Sequence, residues 1–196
     1  MAKSLRGIPV RWESDSAGYG YCVGMAIDVY IGHGASGNAA SMAAHVAGLR
    51  RRGVEATAID LPKKKAEEAL PAFRAIVPDG PGIAVGGQSY GGRVASLAAA
   101  QPDTQYEGLV LFSYPLHAPG KQAAWDERTS HWPAIHCPVL LLSGEADPFA
   151  NLKLLREAVP RLKNAELVTY PNLGHTLKPV LDDALDRAAA FLLALG

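Results

Sequence analysis

The chain lacks any excess of charge of one sign. Its 19 Lys and Arg balance 19 Asp and Glu, for a formal net charge of zero. Neither a basic footprint for nucleic acid nor a polybasic face for a membrane surface is expected. No apolar run reaches the roughly 18 residues that span a bilayer. Residues 1–7 lack the apolar stretch of a secretory signal, so the cytoplasm is the expected compartment. The two cysteines, Cys22 and Cys137, are far apart and lack metal-ligand spacing. They read as buried reduced thiols, with a single disulfide left open as the alternative. There is no His-Glu-x-x-His motif and no Cys/His cluster, so no metal is expected. Internal repeats, low-complexity tracts and linkers are missing too. One domain over residues 1–196 is the simplest organisation, and a hydrophobic content of 48% is ample for a substantial core.

What is present is an alternation of strand and helix signals. Residues 8–22 show no clear period, and one or two short, irregular strands are expected there. Residues 26–31 read as a strand. Asn38 is a good N-cap for a helix running to Arg52, and Gly53 suits its C′ position. A strand follows at 54–60. Residues 65–77 carry Leu70, Phe73, Ile76 and Val77 at helical spacing, with Pro71 expected to interrupt or kink the helix. Next come strand 83–87, helical run 93–100 and strand 108–112. A Pro- and aromatic-rich connection over 115–138 has room for one short helix around 121–128. Strand 139–143, helix 149–159, strand 165–170 and helix 180–195 complete the chain. The pattern predicts an α/β fold with a doubly wound, mostly parallel sheet flanked by helices. The whole stretch 113–138 is too short for a helical cap domain.

The most informative stretch is Gly87-Gln88-Ser89-Tyr90-Gly91-Gly92. Glycines two before and two after a serine let a strand turn abruptly into a helix, with the serine strained at the apex and its hydroxyl above the sheet edge. A Cβ at Gly87 or Gly91 would collide with the neighbouring strand or helix. Asp147, in Gly144-Glu145-Ala146-Asp147-Pro148, follows the apolar run 139–142. His175, in Leu173-Gly174-His175, lies just beyond 167–170. Serine, aspartate and histidine in this order, each beyond a strand, can meet at the carboxyl ends of a parallel sheet. His175 is then the expected base for the Ser89 hydroxyl, and Asp147 the group that holds the imidazole tautomer. Fixed donors for a developing oxyanion are expected from the Tyr90 N–H and from the glycine loop 31–37, with the Ala35 N–H favoured.

With His33-Gly34-Ala35-Ser36-Gly37, the stretch 114–121, Gly144–Phe149 and Gly174-His175 added to the serine turn, residues 26–195 resemble the small, lidless α/β-hydrolases related to dienelactone hydrolase. Within these they are most similar to a bacterial group of predicted hydrolases, which also resembles the domain in a eukaryotic chromatin-complex subunit. The resemblance implies a minimal α/β-hydrolase fold without a cap domain. It also implies Ser89, Asp147 and His175 as a triad that cleaves a small ester or thioester through an acyl-enzyme, with no cofactor. Dienelactone hydrolases themselves use a cysteine nucleophile, so Ser89 argues against that activity. The first strands of the fold are expected to be short or missing here.

Two competing readings remain. Gly32-x-Gly34-x-x-Gly37, after a strand and before a helix, with Asp60 ending the next strand, also fits a dinucleotide-binding fingerprint, which would make the chain an NAD(P)-binding oxidoreductase. That reading leaves Ser89, Asp147 and His175 as coincidences. The other is a non-catalytic scaffold whose triad is vestigial. His33 is expected to shape its loop by hydrogen bonding, and His117 either lines the pocket or lies on the surface. His45, His131 and His136 read as structural or solvated, and Glu145 is the alternative acid. The runs 50–52 and 63–65 read as helix-end and solvated charge.

Overall fold

The computed structural model describes residues 11–14, 20–23 and 25–196. Arg11–Ser14 (β1) and Gly20–Val23 (β2) pair antiparallel, with Trp12 opposite Cys22. The rest of 8–22, the Cys22 thiol and residues 1–7 lie outside the described residues. Cys137 is a free, half-buried thiol, and burial pushes its pKa up to about 11.

Six strands build the central sheet: β3 (Asp28–Gly32), β4 (Glu55–Ile59), β5 (Ile83–Gln88), β6 (Gly108–Phe112), β7 (Val139–Gly144) and β8 (Ala165–Tyr170). Their order is β4-β3-β5-β6-β7-β8, and every neighbouring pair is parallel. Every residue of β6 and β7 is buried, because helices cover both faces. Leu109, Leu111, Val139 and Leu141 point to the layer of α2 (Ala66–Ile76), α3 (Tyr90–Ala99) and α5 (Leu152–Ala158). Val110, Phe112, Leu140 and Leu142 point to the layer of α1 (Ala43–Arg51) and α6 (Leu181–Leu193). The connection between β6 and β7 holds a short helix, α4 (Trp125–Thr129), and a turn that buries Trp132 against the first layer. Among the described residues no helix is long and apolar enough to cross a membrane.

Two local expectations need correction. Pro71 neither breaks nor ends α2, which runs unbroken through it. Proline here deprives only the Glu67 carbonyl, in the first turn on an exposed face, where water can replace the lost N–H. Ile76 is not a core residue but is 50% exposed. The buried stripe of α2 runs through Ala66, Ala69, Phe73 and Val77, and the two small alanines set its direction. The segment after Asn38 does start a helix, but as a 3-10 turn, Ala39–Met42. The Asn38 side chain accepts the Ser41 N–H at 3.1 Å, and α1 follows. Gly53 takes φ +82° beyond the end of α1, a conformation that favours glycine.

The strand order fixes where a ligand would bind. From β3 the chain passes to β4 on one side, then returns to β5 on the other. The helices after β3 and β5 pack on opposite faces. Their loops therefore diverge and leave a crevice at the carboxyl ends of β3 and β5.

Candidate active site

β3 and β5 approach with Gly32 opposite Gly87. A Cβ on Gly87 would stand 2.5 Å from the Gly91 carbonyl carbon and 2.6 Å from the Gly32 oxygen. A Cβ on Gly91 would overlap the Gly32 backbone. These absent side chains let α3 start directly over the strand ends. Between the glycines the backbone of Ser89 takes φ +51°, ψ −112°, a strained geometry for a residue with a Cβ. Its N–H donates to the Phe112 carbonyl at 2.8 Å, and its carbonyl accepts the Arg93 N–H at 3.0 Å. Sheet and helix thus hold the strained residue from both sides.

Ser89, Asp147 and His175 come together at the carboxyl ends of β5, β7 and β8. His175 Nε2 lies 2.8 Å from Ser89 Oγ, and His175 Nδ1 lies 2.8 Å from Asp147 Oδ2. The other Asp147 oxygen accepts the Phe149 N–H at 2.8 Å. The Asp147 side chain is fully buried, whereas 26% of the His175 side chain is exposed. A buried carboxylate accepting on both oxygens calls for a proton on His175 Nδ1. That leaves the Nε2 lone pair for the Ser89 hydroxyl, the arrangement that lets an imidazole take a proton from a serine. Glu145 has a different partner, accepting the Thr169 hydroxyl at 2.8 Å.

Tyr90 opens α3, where a backbone N–H has no carbonyl of its own helix to reach. Ala35, Ser89 and Tyr90 line one cavity of about 790 Å³. The glycine loop is tied to α3 by the Gly91 N–H, which donates to the His33 carbonyl at 2.9 Å. His33 is buried. Its Nε2 accepts the Leu61 N–H at 3.0 Å, and its Nδ1–H faces the Gly34 carbonyl at 2.8 Å. It shapes the loop, as its sequence context suggests. His117 does neither of the things expected of it: it is buried away from the cavity wall. Its Nε2 accepts the Asn151 N–H at 3.1 Å, its Nδ1–H faces the Ala118 carbonyl at 3.0 Å, and its backbone N–H donates to the Phe149 carbonyl at 3.0 Å. Donor and acceptor are both taken up in joining two loops, which draws the ring inward. His131 Nε2–H donates to the buried Ser96 hydroxyl at 2.9 Å, away from the cavity.

Several of the groups that a dinucleotide would use at the glycine loop are engaged within the protein, while the exposed Asp60 bonds through one oxygen. Asp60 accepts the Ala39 N–H at 2.7 Å, Asn38 caps the Ser41 N–H, and the Gly37 N–H donates to the Gly34 carbonyl at 2.9 Å. The acid and the helix-start amides satisfy one another. Among the described residues no group of three or more His, Cys, Asp and Glu side chains is arranged to hold a metal.

Three site residues escape sequence reasoning. Phe149 packs on His175, and Arg93 and Arg128 line the cavity. Arg93, four residues after Ser89 on α3, could be found from helical spacing. Arg128 could not, because its place depends on the path of the irregular connection.

A family model described as an alpha/beta hydrolase domain matches residues 60–192. Among solved structures, a monoacylglycerol lipase from Paleococcus ferrophilus superimposes with a TM-score of 0.73 at 16% identity, over 88% of this chain and 97% of that one. Est1E from Butyrivibrio proteoclasticus, solved with ferulic acid, gives 0.68 at 18% identity over 95% and 94%. A predicted CIB-like hydrolase from Thermoplasma acidophilum gives 0.70 at 15% identity over 96% and 100%. At these identities the likeness is one of fold.

Proposed function

The chain belongs to the alpha/beta hydrolase domain family, and on that premise we propose that it is a single-domain serine hydrolase cleaving small esters or thioesters. The observation that carries this reading is the pair of 2.8 Å contacts joining Ser89, His175 and Asp147 around a serine of positive φ. Ser89 attacks the acyl carbonyl while His175 Nε2 takes the hydroxyl proton. Asp147 stabilises the imidazolium and keeps its orientation. The tetrahedral oxyanion is met by the N–H groups of Tyr90 and Ala35. Its collapse expels the alcohol or thiol, which receives its proton from His175. Water then repeats the sequence on the acyl-enzyme and frees the acid and Ser89.

Within the family we place the chain near the lidless enzymes related to dienelactone hydrolase, with Ser89 where those have cysteine. The connection between β6 and β7 supplies one wall of the cavity and no cap. Each further CH₂ of a long acyl chain then gains much less than the roughly 0.8 kcal/mol of full burial.

The test is labelling with a fluorophosphonate probe, followed by a panel of p-nitrophenyl esters. Ser89 alone should be modified, Ser89→Ala should abolish both labelling and turnover, and kcat/KM should peak between acetate and butyrate. A preference for chains of about eight carbons or more would overturn the small-acyl reading. A folded protein that is neither labelled nor active would favour the scaffold alternative.

A further inference from the structure

The wall of the cavity beside Ser89 carries more positive than negative charge. Lys64, Lys65, Arg93 and Arg128 line it, against Glu67 and Glu127. The lysines and Glu127 are exposed, so their charges are largely met by water. The two arginines differ from them and from each other. Arg93 forms an ion pair with Glu67, and its Nη1 donates to the Arg128 carbonyl at 3.2 Å. Among the described residues Arg128 has only a neutral acceptor, the Pro115 carbonyl, 3.0 Å from its Nη1.

Among the arginines whose side chains are described this sets Arg128 apart. Arg50, Arg52, Arg74, Arg93, Arg161 and Arg187 each have a carboxylate within 4.0 Å. Of the rest, Arg51 and Arg156 are exposed, but Arg128 is half-buried. Burial, with the nearby charge of Arg93, holds its guanidinium below the ordinary arginine pKa. Glu67 and Glu127 act on this cation from a distance, but among the described residues no carboxylate stands within ion-pair reach, so its loss of water is only partly offset, and substrate is the partner a cavity wall can provide. A guanidinium with one Nη occupied keeps further N–H groups in a planar fork, the geometry that matches a carboxylate.

We propose that the cavity takes esters whose non-reacting end carries a carboxylate, and that Arg128 is the residue that selects it, Lys64 and Lys65 adding long-range attraction. This rests on the serine-hydrolase reading for the position of the reacting carbonyl at Ser89. The carboxylate then sits along the α3–α4 wall, while the glycine loop faces the oxyanion. An anionic end would also suit an uncapped site, because it needs a cation rather than an enclosed apolar tunnel.

The experiment compares matched anionic and neutral esters in the full-length protein. One arm puts the charge on the leaving group, with 4-acetoxybenzoate against 4-acetoxybenzamide. The other puts it on the acyl group, with mono-4-nitrophenyl adipate against its methyl ester. In at least one arm kcat/KM should favour the anion, and Arg128→Gln should reduce the anion-to-neutral ratio by about tenfold or more. Arg128→Lys, which keeps charge and loses the fork, should reduce it less. The ratio is internal to each variant, so a general loss of stability cancels. A ratio unmoved by Arg128→Gln in both arms overturns the proposal.

Binding separates this proposal from the reading beneath it. Calorimetry on Ser89→Ala should show the anion of at least one matched pair binding about tenfold or more tighter than its neutral partner, with the difference lost on adding Arg128→Gln. If that holds while the wild type cleaves neither ester, the carboxylate site stands and the hydrolase reading falls. Equal binding within both matched pairs, with Ser89 labelled by the probe, sinks the carboxylate site and leaves the hydrolase intact.

Discussion

The ring of Phe149 lies against the imidazole of His175, centroids 4.5 Å apart and planes tilted by 42°. The Phe149 amide meanwhile donates to Asp147 Oδ1 at 2.8 Å. One residue thus fixes the carboxylate through its backbone and braces the imidazole through its side chain. Phe149→Ala keeps the first contact and deletes the second. The rate of fluorophosphonate labelling at Ser89 should fall about tenfold or more, since small misplacements of a reacting group are costly. An unchanged labelling rate would mean that Asp147 alone holds the ring.

Asp147→Asn tests the proton arrangement. The Phe149 N–H requires the amide oxygen of an asparagine at this position, which turns the NH₂ group toward His175. Nδ1 must then accept, Nε2 must carry the proton, and the Ser89 hydroxyl loses its base. A loss of about 10⁴-fold in kcat is expected, as for the same change in a protease triad. A severalfold loss, measured with p-nitrophenyl acetate, would point to another carboxylate.

Gly91 and Gly34 should respond oppositely to alanine. The Cβ of Gly91→Ala would overlap the Gly32 backbone, whereas nothing lies within 4 Å of a Cβ on Gly34. Gly91→Ala is expected to forfeit stability by about 4 kcal/mol or more, because β3 and α3 must separate. Gly34→Ala should stay within about 0.5 kcal/mol. Urea unfolding of both variants checks this, and a mild effect at Gly91 would show that the glycine contact can relax.

Acid should weaken the fold through two partly buried histidines. Burial lowers the pKa of both His45 and His131 to about 4, from an ordinary 6.5. A base with a depressed folded pKa is charged first in the unfolded chain. Stability is therefore full above pH 6.5 and is lost as pH falls toward 4, by up to about 1.4 kcal/mol per pH unit for each ring. Denaturant midpoints between pH 7.5 and 4.5 should follow this, and His45→Leu with His131→Gln should flatten the slope. An equal slope in the double variant would assign the loss to other groups.

The sheet and its helices are legible in the sequence because their signals are local. Val139–Leu142 is apolar throughout since helices cover both faces of the strand, and Gly87 and Gly91 mark the turn that Ser89 occupies. What is not legible depends on partners distant in the chain. Ile76 satisfies helical spacing, yet Ala66 and Ala69 decide which face of α2 meets α3. Pro71 looks disruptive until its lost bond is seen to fall on an exposed first-turn carbonyl. His117 offers no sequence signal for burial, because the amide it accepts belongs to Asn151. Arg128 carries no sequence signal, because the absence of an ion-pair partner is a property of three-dimensional space.

His33 and His117 have a consequence for how the molecule breathes. Each ring links its own loop to a backbone amide beyond a neighbouring strand, Leu61 in one case and Asn151 in the other. Loop tips normally open far more easily than the strands they follow. Here two rigid rings extend the pairing of the sheet past the strand ends, so the rim around Ser89 is expected to open with the core and not ahead of it. The Leu61 and Asn151 amides should accordingly exchange with solvent deuterium at rates set by sub-global unfolding. Such a rim meets its substrate already ordered, and the entropy of shaping it is settled during folding and not at each encounter.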